Sequence, residues 1–182
     1  MPDGPGLELI MAELNRARPG AVVDATYDRE QAALVVAPEA ILDVLAWLRD
    51  TPGQEYTFLS SLHAADYLPA EPRFAVHYEL LNRERYERLR VKALLADPAA
   101  AGPEAADLLP EIDSCIELFP TADFQEREVY DFFGIVFRGH PDLRRMFMPG
   151  DYGGHPQRRD FPIGGEPVIF TRDEVENPGW WQ

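Results

Sequence analysis

The stretch that decides the fold is FAVHYELLNRERYERLRVKA, residues 74–93. Phe74, Val76, Tyr78 and Leu80 alternate with Ala75, His77 and Glu79. After the polar turn Asn82–Arg85, the residues Leu89, Val91 and Ala93 alternate with Arg88, Arg90 and Lys92. A period of two on both sides of a turn predicts a β-hairpin. One face is apolar and the other polar or charged, as in an antiparallel sheet with one wet side. His77 falls on the wet face and reads as a surface or cross-strand residue rather than a ligand.

Working outward, Leu7, Ile10, Met11 and Leu14 predict an amphipathic helix over residues 6–18, ended by Pro19-Gly20. Ala21–Tyr27 and Ala32–Ala37 read as an antiparallel pair, and Tyr56–Leu62 as a further strand. Pro38 suits the first turn of a helix whose buried face is Ile41, Leu42, Leu45 and Leu48, closed by Thr51-Pro52-Gly53. Residues 97–111 predict a loop with a helical turn. Asp123 and Glu126 have the spacing of a capping box, which predicts a helix from Phe124 to Phe133 with Gly134 just past its end. The fold class is therefore α+β: a mainly antiparallel sheet with helices packed on it.

From Ile135 the texture changes. Pro141, Pro149, Pro156, Pro162 and Pro167 arrive among six glycines, which predicts an irregular, extended strap. This divides the chain into an α+β domain, residues 1–134, and a C-terminal partner-binding segment, 135–182. The strap carries Phe137, Leu143, Met146, Phe147, Met148, Tyr152, Phe161, Ile163 and Phe170, and Trp180-Trp181 follow. So many apolar side chains need a surface, and a partner is the natural one. Residues 104–131 hold nine acids against one base, whereas 138–160 hold five arginines against three aspartates. This basic island can pair with the acidic segment or with a neighbour.

Composition excludes several functions. The formal charge of −15 disfavours nucleic acid and anionic lipid as partners. A single cysteine, Cys115, excludes an internal disulfide and any cluster held by four cysteines of this chain. No run approaches the roughly 20 apolar residues that span a bilayer. Met1-Pro2-Asp3-Gly4-Pro5 has neither a basic nor an apolar run, so the expectation is an intracellular domain.

Candidate chemistry is confined to residues 126–162. On a helix Glu128 and Asp131 share a face, and Arg127 can pair with Asp131 at i, i+4; structural ion pairs are the favoured reading over acid–base work. Gly139-His140-Pro141-Asp142-Leu143-Arg144-Arg145 and Gly154-His155-Pro156-Gln157-Arg158-Arg159-Asp160 form two similar heptads. A metal would need His140 and His155 to converge with Asp142 or Asp160, in a spacing unlike known zinc motifs. Anion binding by the arginine pairs is the next alternative. The leading reading is that these side chains fix a backbone that lacks ladder hydrogen bonds. Nucleotide-binding glycine loops and a Gly-x-Ser-x-Gly elbow are absent from the sequence, and the setting of Cys115 would not activate a thiol.

EREVYDFFGIVFRGHPDLRRMFM, residues 126–148, followed by PGDYGGHPQRRDFP, 149–162, closely resembles the 30-kDa subunit, or C subunit, of NADH–quinone oxidoreductase, respiratory complex I. The residues that carry the resemblance are Glu126, Arg127, Glu128, Tyr130, Asp131, Gly134, His140, Pro141, Asp142, Arg144, Arg145, Asp151, His155, Pro156, Arg158, Asp160, Phe161 and Pro162. Weaker similarity runs upstream, through Leu59–Tyr67, Arg73–Leu81 and Phe119–Phe124. Gly150, Tyr152 and Gln157 depart from the usual pattern. The resemblance implies a structural and assembly subunit of the peripheral arm, peripheral to the cytoplasmic face of the plasma membrane. It implies docking on the large quinone-site subunit and on the cluster-bearing one, the D and B subunits of that complex. Flavin, iron–sulfur clusters and quinone are then held by partners, no catalytic, cofactor or metal residue is expected here, and these motif residues form the interface. The equivalent subunit of a ferredoxin- or hydrogenase-linked membrane complex is the alternative, and a hydrolase using His140 and His155 is a third.

Overall fold

A computed structural model describes residues 2–29 and 31–162. The chain runs α1 (Gly4–Ala17), β1 (Val22–Asp28), β2 (Gln31–Val36), a 3-10 turn at Pro38–Ala40, α2 (Ile41–Asp50), β3 (Phe58–Asp66), β4 (Phe74–Asn82), β5 (Glu87–Leu95), β6 (Glu111–Asp113), α3 (Ala122–Phe133) and β7 (Val136–Arg138). Two further 3-10 turns fall in the loop after β5. The α+β class is the observed one.

The predicted hairpin is β4–β5, in register from Phe74 opposite Leu95 to Asn82 opposite Glu87. Its turn is held by the Asn82 side chain, whose Oδ1 accepts from the amides of Glu84 and Arg85. That is the local bonding that makes Asn a turn residue. The hairpin lies within a five-stranded sheet of order β1-β2-β5-β4-β3. Every neighbouring pair is antiparallel except β2–β5. β3 ends four residues later than the sequence predicts, because Ala64, Ala65 and Asp66 pair with the start of β4.

The apolar face of the hairpin is fully buried. α1 contributes Leu7, Ile10 and Leu14 to the same core, and α2 contributes Ile41, Val44, Leu45 and Leu48. α1 starts where Asp3 accepts from the Gly6 amide at 2.8 Å, with a proline in the first turn. The other face of the sheet is less wet than its sequence suggests. His77 is 7% exposed. It lies directly opposite His63, stacked at 5.0 Å, with the Tyr67 hydroxyl 3.3 Å from its Nε2. Burial pushes its pKa down to about 3, and nearby His63, Lys92 and Arg90 push the same way.

α3 packs against β3 with Ala122, Glu126, Val129 and Phe133 facing inward. Past its end, Ile135 and Phe137 enter the same core, and β7 pairs in parallel with β6. The core thus continues across residue 134 into the start of the strap.

One ion cluster ties three distant segments together. Arg73, with a side chain 5% exposed, binds Asp66 at 2.8 Å, Asp97 at 2.7 Å and Asp160 at 2.8 Å. Burial alone would raise the Asp66 pKa. The Arg73 guanidinium and the amides of Arg159 and Leu68 outweigh it and bring the pKa down to about 2. Arg73→Met should therefore cost about 3–5 kcal/mol, because it strands buried carboxylates. Chemical unfolding at neutral pH checks this. The Asp66 contribution is complete above its unfolded pKa of about 3.9 and disappears as pH falls through about 2. The acid slope of stability in that window should be shallower in Arg73→Met than in the parent.

Candidate functional site: a strap held on one helix

α3 is capped at Thr121, two residues earlier than a capping box would place its start, and Thr121 makes no side-chain cap bond. Asp123 is therefore inside the helix, and Glu126 does not turn back to it. Glu126 is 0% exposed. Its carboxylate accepts from Ser114 Oγ at 2.6 Å and from the Cys115 amide at 2.8 Å. Burial raises its pKa, and these hydrogen bonds only partly offset that. The box does not form because a helix-interior acid on the buried face has a loop to hold. Cys115 is buried beside it, and burial together with the Glu126 charge pushes the thiol pKa well up.

The expected Arg127–Asp131 pair does not form. Arg127 Nε donates to the Arg144 carbonyl at 3.2 Å, and its guanidinium lies 5.6 Å from the Phe124 ring centre. Asp131 faces the strap instead and is fully buried. One oxygen accepts from three consecutive amides, Met146 at 3.0 Å, Phe147 at 2.7 Å and Met148 at 3.0 Å. The other accepts from Arg145 Nη1 at 3.1 Å. Burial would raise the pKa of Asp131, but the amides of Met148, Phe147 and Met146, with Arg145, hold it below the usual carboxylate range. Glu128 is exposed and shares no bond with Asp131.

Gly134 ends α3 in the left-handed region, at φ 69°, and its amide reaches the Tyr130 carbonyl at 2.9 Å. A Cβ there would meet the His155 ring at 2.5 Å, so glycine is required by conformation and by space. His155 Nδ1 lies 3.0 Å from the Asp131 carbonyl, and the ring meets Tyr130 edge-on at 6.1 Å. Burial lowers its pKa. Arg158 Nε donates to the Phe133 carbonyl at 2.6 Å, and Arg145 Nη2 to that of Gly154 at 2.9 Å. His140 sits at the other end of α3, with Nε2 3.1 Å from the Asp123 carbonyl and Nδ1 accepting from the Asp142 amide. The partners of the two histidines, Asp123 and Asp131, are eight residues apart on α3, so roughly 12 Å of helix separates them. They do not converge on one ion, and among the described residues no cluster of three metal-ligating side chains occurs.

The remaining motif residues fall into place around this post. Arg144 is exposed and paired with Asp142 at 2.6 Å. Pro141, Asp151 and Pro162 are exposed, and Pro156 is half-buried. Phe161 stacks with Tyr152 at 6.2 Å. Asp160 joins the Arg73 cluster, and the Arg159 amide reaches Asp66 at 2.8 Å. Of the apolar strap residues, Phe137 is core, Leu143 packs against it, and Phe147 stacks on Phe132 at 5.2 Å while staying 59% exposed. Ile163, Phe170, Trp180 and Trp181 lie outside the described residues. Sequence reasoning assigned no role to Arg73, Asp66 and Asp97, which meet only through the fold, although Arg73 and Asp66 lie in stretches that resemble the family. It also missed Gln125, whose side chain binds the Leu62 amide.

Residues 34–167 match the family described as the respiratory-chain NADH dehydrogenase 30-kDa subunit. The chain belongs to that family. It is 41% identical over 162 residues to the NADH-quinone oxidoreductase C subunit of Roseiflexus castenholzii, covering 89% of this chain and 87% of that protein. The same-named subunit of Herpetosiphon aurantiacus is 44% identical over 141 residues, covering 78% and 77%. That of Rhodobacter capsulatus is 38% identical over 170, covering 93% and 79%. Among solved structures, a chain of the membrane-bound sulfane sulfur reductase, an archaeal respiratory membrane complex, superposes with a TM-score of 0.65 at 25% identity, covering 86% of this chain and 85% of that one. As a 30-kDa-subunit homologue the chain is a component of a multi-subunit respiratory complex, so its partners are other subunits of such a complex. No helix among the described residues is long and apolar enough to cross a membrane.

Asp131→Asn in this 30-kDa subunit removes the charge but keeps the shape. Charge-assisted bonds to three amides and Arg145 then weaken, at a cost of about 1.5–3 kcal/mol. Amide exchange of Met146, Phe147 and Met148 should speed up while the β4–β5 amides stay protected. Since the folded pKa is depressed, the parent should show the same local loosening as pH falls below the ordinary carboxylate range.

Proposed function

We propose that this chain is a structural and assembly subunit of the peripheral arm of a proton-translocating NADH–quinone oxidoreductase. It supports electron transfer from NADH to quinone by docking on the quinone-site and cluster-bearing subunits. Flavin, iron–sulfur clusters and quinone belong to those and other partners, and this chain holds no active site. It sits at the cytoplasmic face of the plasma membrane through the complex. One observation supports the scaffold role above the rest. Seven ionisable motif side chains, Glu126, Arg127, Asp131, His140, Arg145, His155 and Arg158, each bond a backbone atom of this chain. Groups spent on fixing backbone are shape-holders, and a shaped strap is what an assembly surface requires. The motif residues that face outward, among them Arg144 and Asp151, are then the ones that meet the partners, together with the exposed Phe147.

The likeness to a chain of the sulfane sulfur reductase complex favours a second reading, the equivalent subunit of a related membrane complex that takes electrons from a donor other than NADH. Identities of 38–44% to NADH-quinone oxidoreductase subunits, against 25% for that chain, favour the first.

Affinity capture of the tagged chain from gently solubilised membranes, with mass spectrometry of the co-purifying chains, tests both. The proposal predicts the quinone-site and cluster-bearing subunits together with a flavin-bearing NADH-oxidising subunit. Recovery with a hydrogenase- or sulfur-reductase-type catalytic subunit selects the second reading. Recovery of the chain alone from the cytosol, while the complex remains in the membrane, contradicts both.

A further inference from the structure

The sheet ends at β3, and that edge is only partly closed. In an antiparallel pair, residues alternate between those bonded to the partner strand and those whose backbone groups point away from it. The Leu62 amide donates away from β4, to the side chain of Gln125. Ala64, two residues on, therefore presents its N–H and C=O to the same side. At one end α3 closes the edge, because Thr121 Oγ1 donates to the Leu59 carbonyl at 3.2 Å and Gln125 takes the Leu62 amide. At the other end the Asp66 carboxylate is bound by Arg73 and by the amides of Leu68 and Arg159. By the same alternation the Leu62 carbonyl and both backbone groups of Ala64 point away from β4, and between these closures no turn, loop or side-chain group among the described residues bonds them.

These free groups border a groove of about 330 Å³ between β3, α3 and Gln157 of the strap. Val129, Phe132 and Phe133 supply its apolar lining, and His63 and Glu128 its polar rim. Glu128 is exposed and has no ion-pair partner among the described residues. The apolar surface continues outward, since Phe132 stacks on the exposed Phe147, and Phe124 lies two turns before Phe132 on α3 at 62% exposure.

We propose that this groove docks an extended segment of a neighbouring subunit. The segment adds a short strand to the β3 edge, sets an apolar side chain against Val129 and Phe132, and places a Lys or Arg against Glu128. Two features select this occupant. Donor and acceptor groups at strand spacing are matched by another extended backbone, whereas a helix has already spent its own. The lone carboxylate on the rim calls for a cation, and this acidic chain offers it none among the described residues. The inference rests on the reading of the chain as a subunit of a respiratory complex and adds where, and by what geometry, one partner engages it.

The test uses the assembled complex. Benzoylphenylalanine is placed at Gln157, whose exposed side chain lines the groove, and the complex is irradiated in gently solubilised membranes. The expected product is a single crosslink to one neighbouring subunit, mapped by mass spectrometry to a segment with a Lys or Arg within two or three residues. Glu128→Arg should lower the crosslink yield at least ~10-fold, and Glu128→Asp should largely preserve it. In the assembled parent complex the peptide spanning residues 61–66 should also exchange more slowly than in the Glu128→Arg complex. A complex that contains the chain but gives no crosslink overturns the groove assignment alone. So does a crosslink confined to this chain, or a yield indifferent to Glu128→Arg. A chain that enters no complex overturns this assignment and the proposed function together.

Discussion

The buried carboxylate of Asp131 is the interaction on which the strap depends. A segment built from prolines and glycines has no ladder to receive its amides, and buried amides must be met by something. Asp131 meets three in succession, 146 to 148, and holds Arg145 with its second oxygen. Its position is otherwise unfavourable. It sits in the last turn of α3, where the helix dipole repels negative charge. Four donors converging from the strap offset that repulsion and the loss of hydration, so helix and strap each supply what the other lacks. The same turn's carbonyls bind His155 and Arg158, and Gly134 leaves the space those side chains occupy.

α3 thus works as a two-sided post. Its inner side joins the core through Ala122, Val129 and Phe133, with Glu126 securing the loop at Ser114 and Cys115. Its other sides carry the strap, whose far end is pinned to the sheet by Arg73 and Asp160. In a member of a family of respiratory-complex subunits, such a post couples a rigid sheet to a surface that an irregular chain could not hold by itself. The residues that do the holding are inward, whereas Phe147, Phe124 and Glu128 are outward.

Much of this was legible in the sequence, and the failures share a cause. The hairpin at residues 74–93 declared itself because period two along a strand is a local property. The helices and the left-handed stop at Gly134 were local as well. The neighbour relations were not: no local pattern says that β2 lies parallel to β5. Asp123 and Glu126 imitate a capping box, yet Glu126 belongs to a buried stripe and serves a loop about twelve residues back. Arg127 and Asp131 have the spacing of a helix ion pair, yet Asp131 turns to Arg145. In each case a long-range partner outcompeted the near one that spacing suggested. His77 alternates with core residues and so reads as wet, but stacking on His63 and cover from Tyr67 keep it dry. Arg73 and Asp66 lie in stretches that resemble the family, but no local pattern joins them into a cluster, since the three aspartates lie 7, 24 and 87 residues from Arg73.

In the proposed scaffold role the motif holds shape while the chemistry is done by partner subunits. Asp131→Asn tests it most directly when complex abundance on a native gel is measured alongside NADH–quinone turnover per assembled complex. The scaffold role predicts fewer complexes, each with near-normal turnover, because a loosened strap would impair assembly and not the redox chemistry proposed for the partners. Normal abundance with abolished turnover would contradict it and would place Asp131 in the chemistry itself.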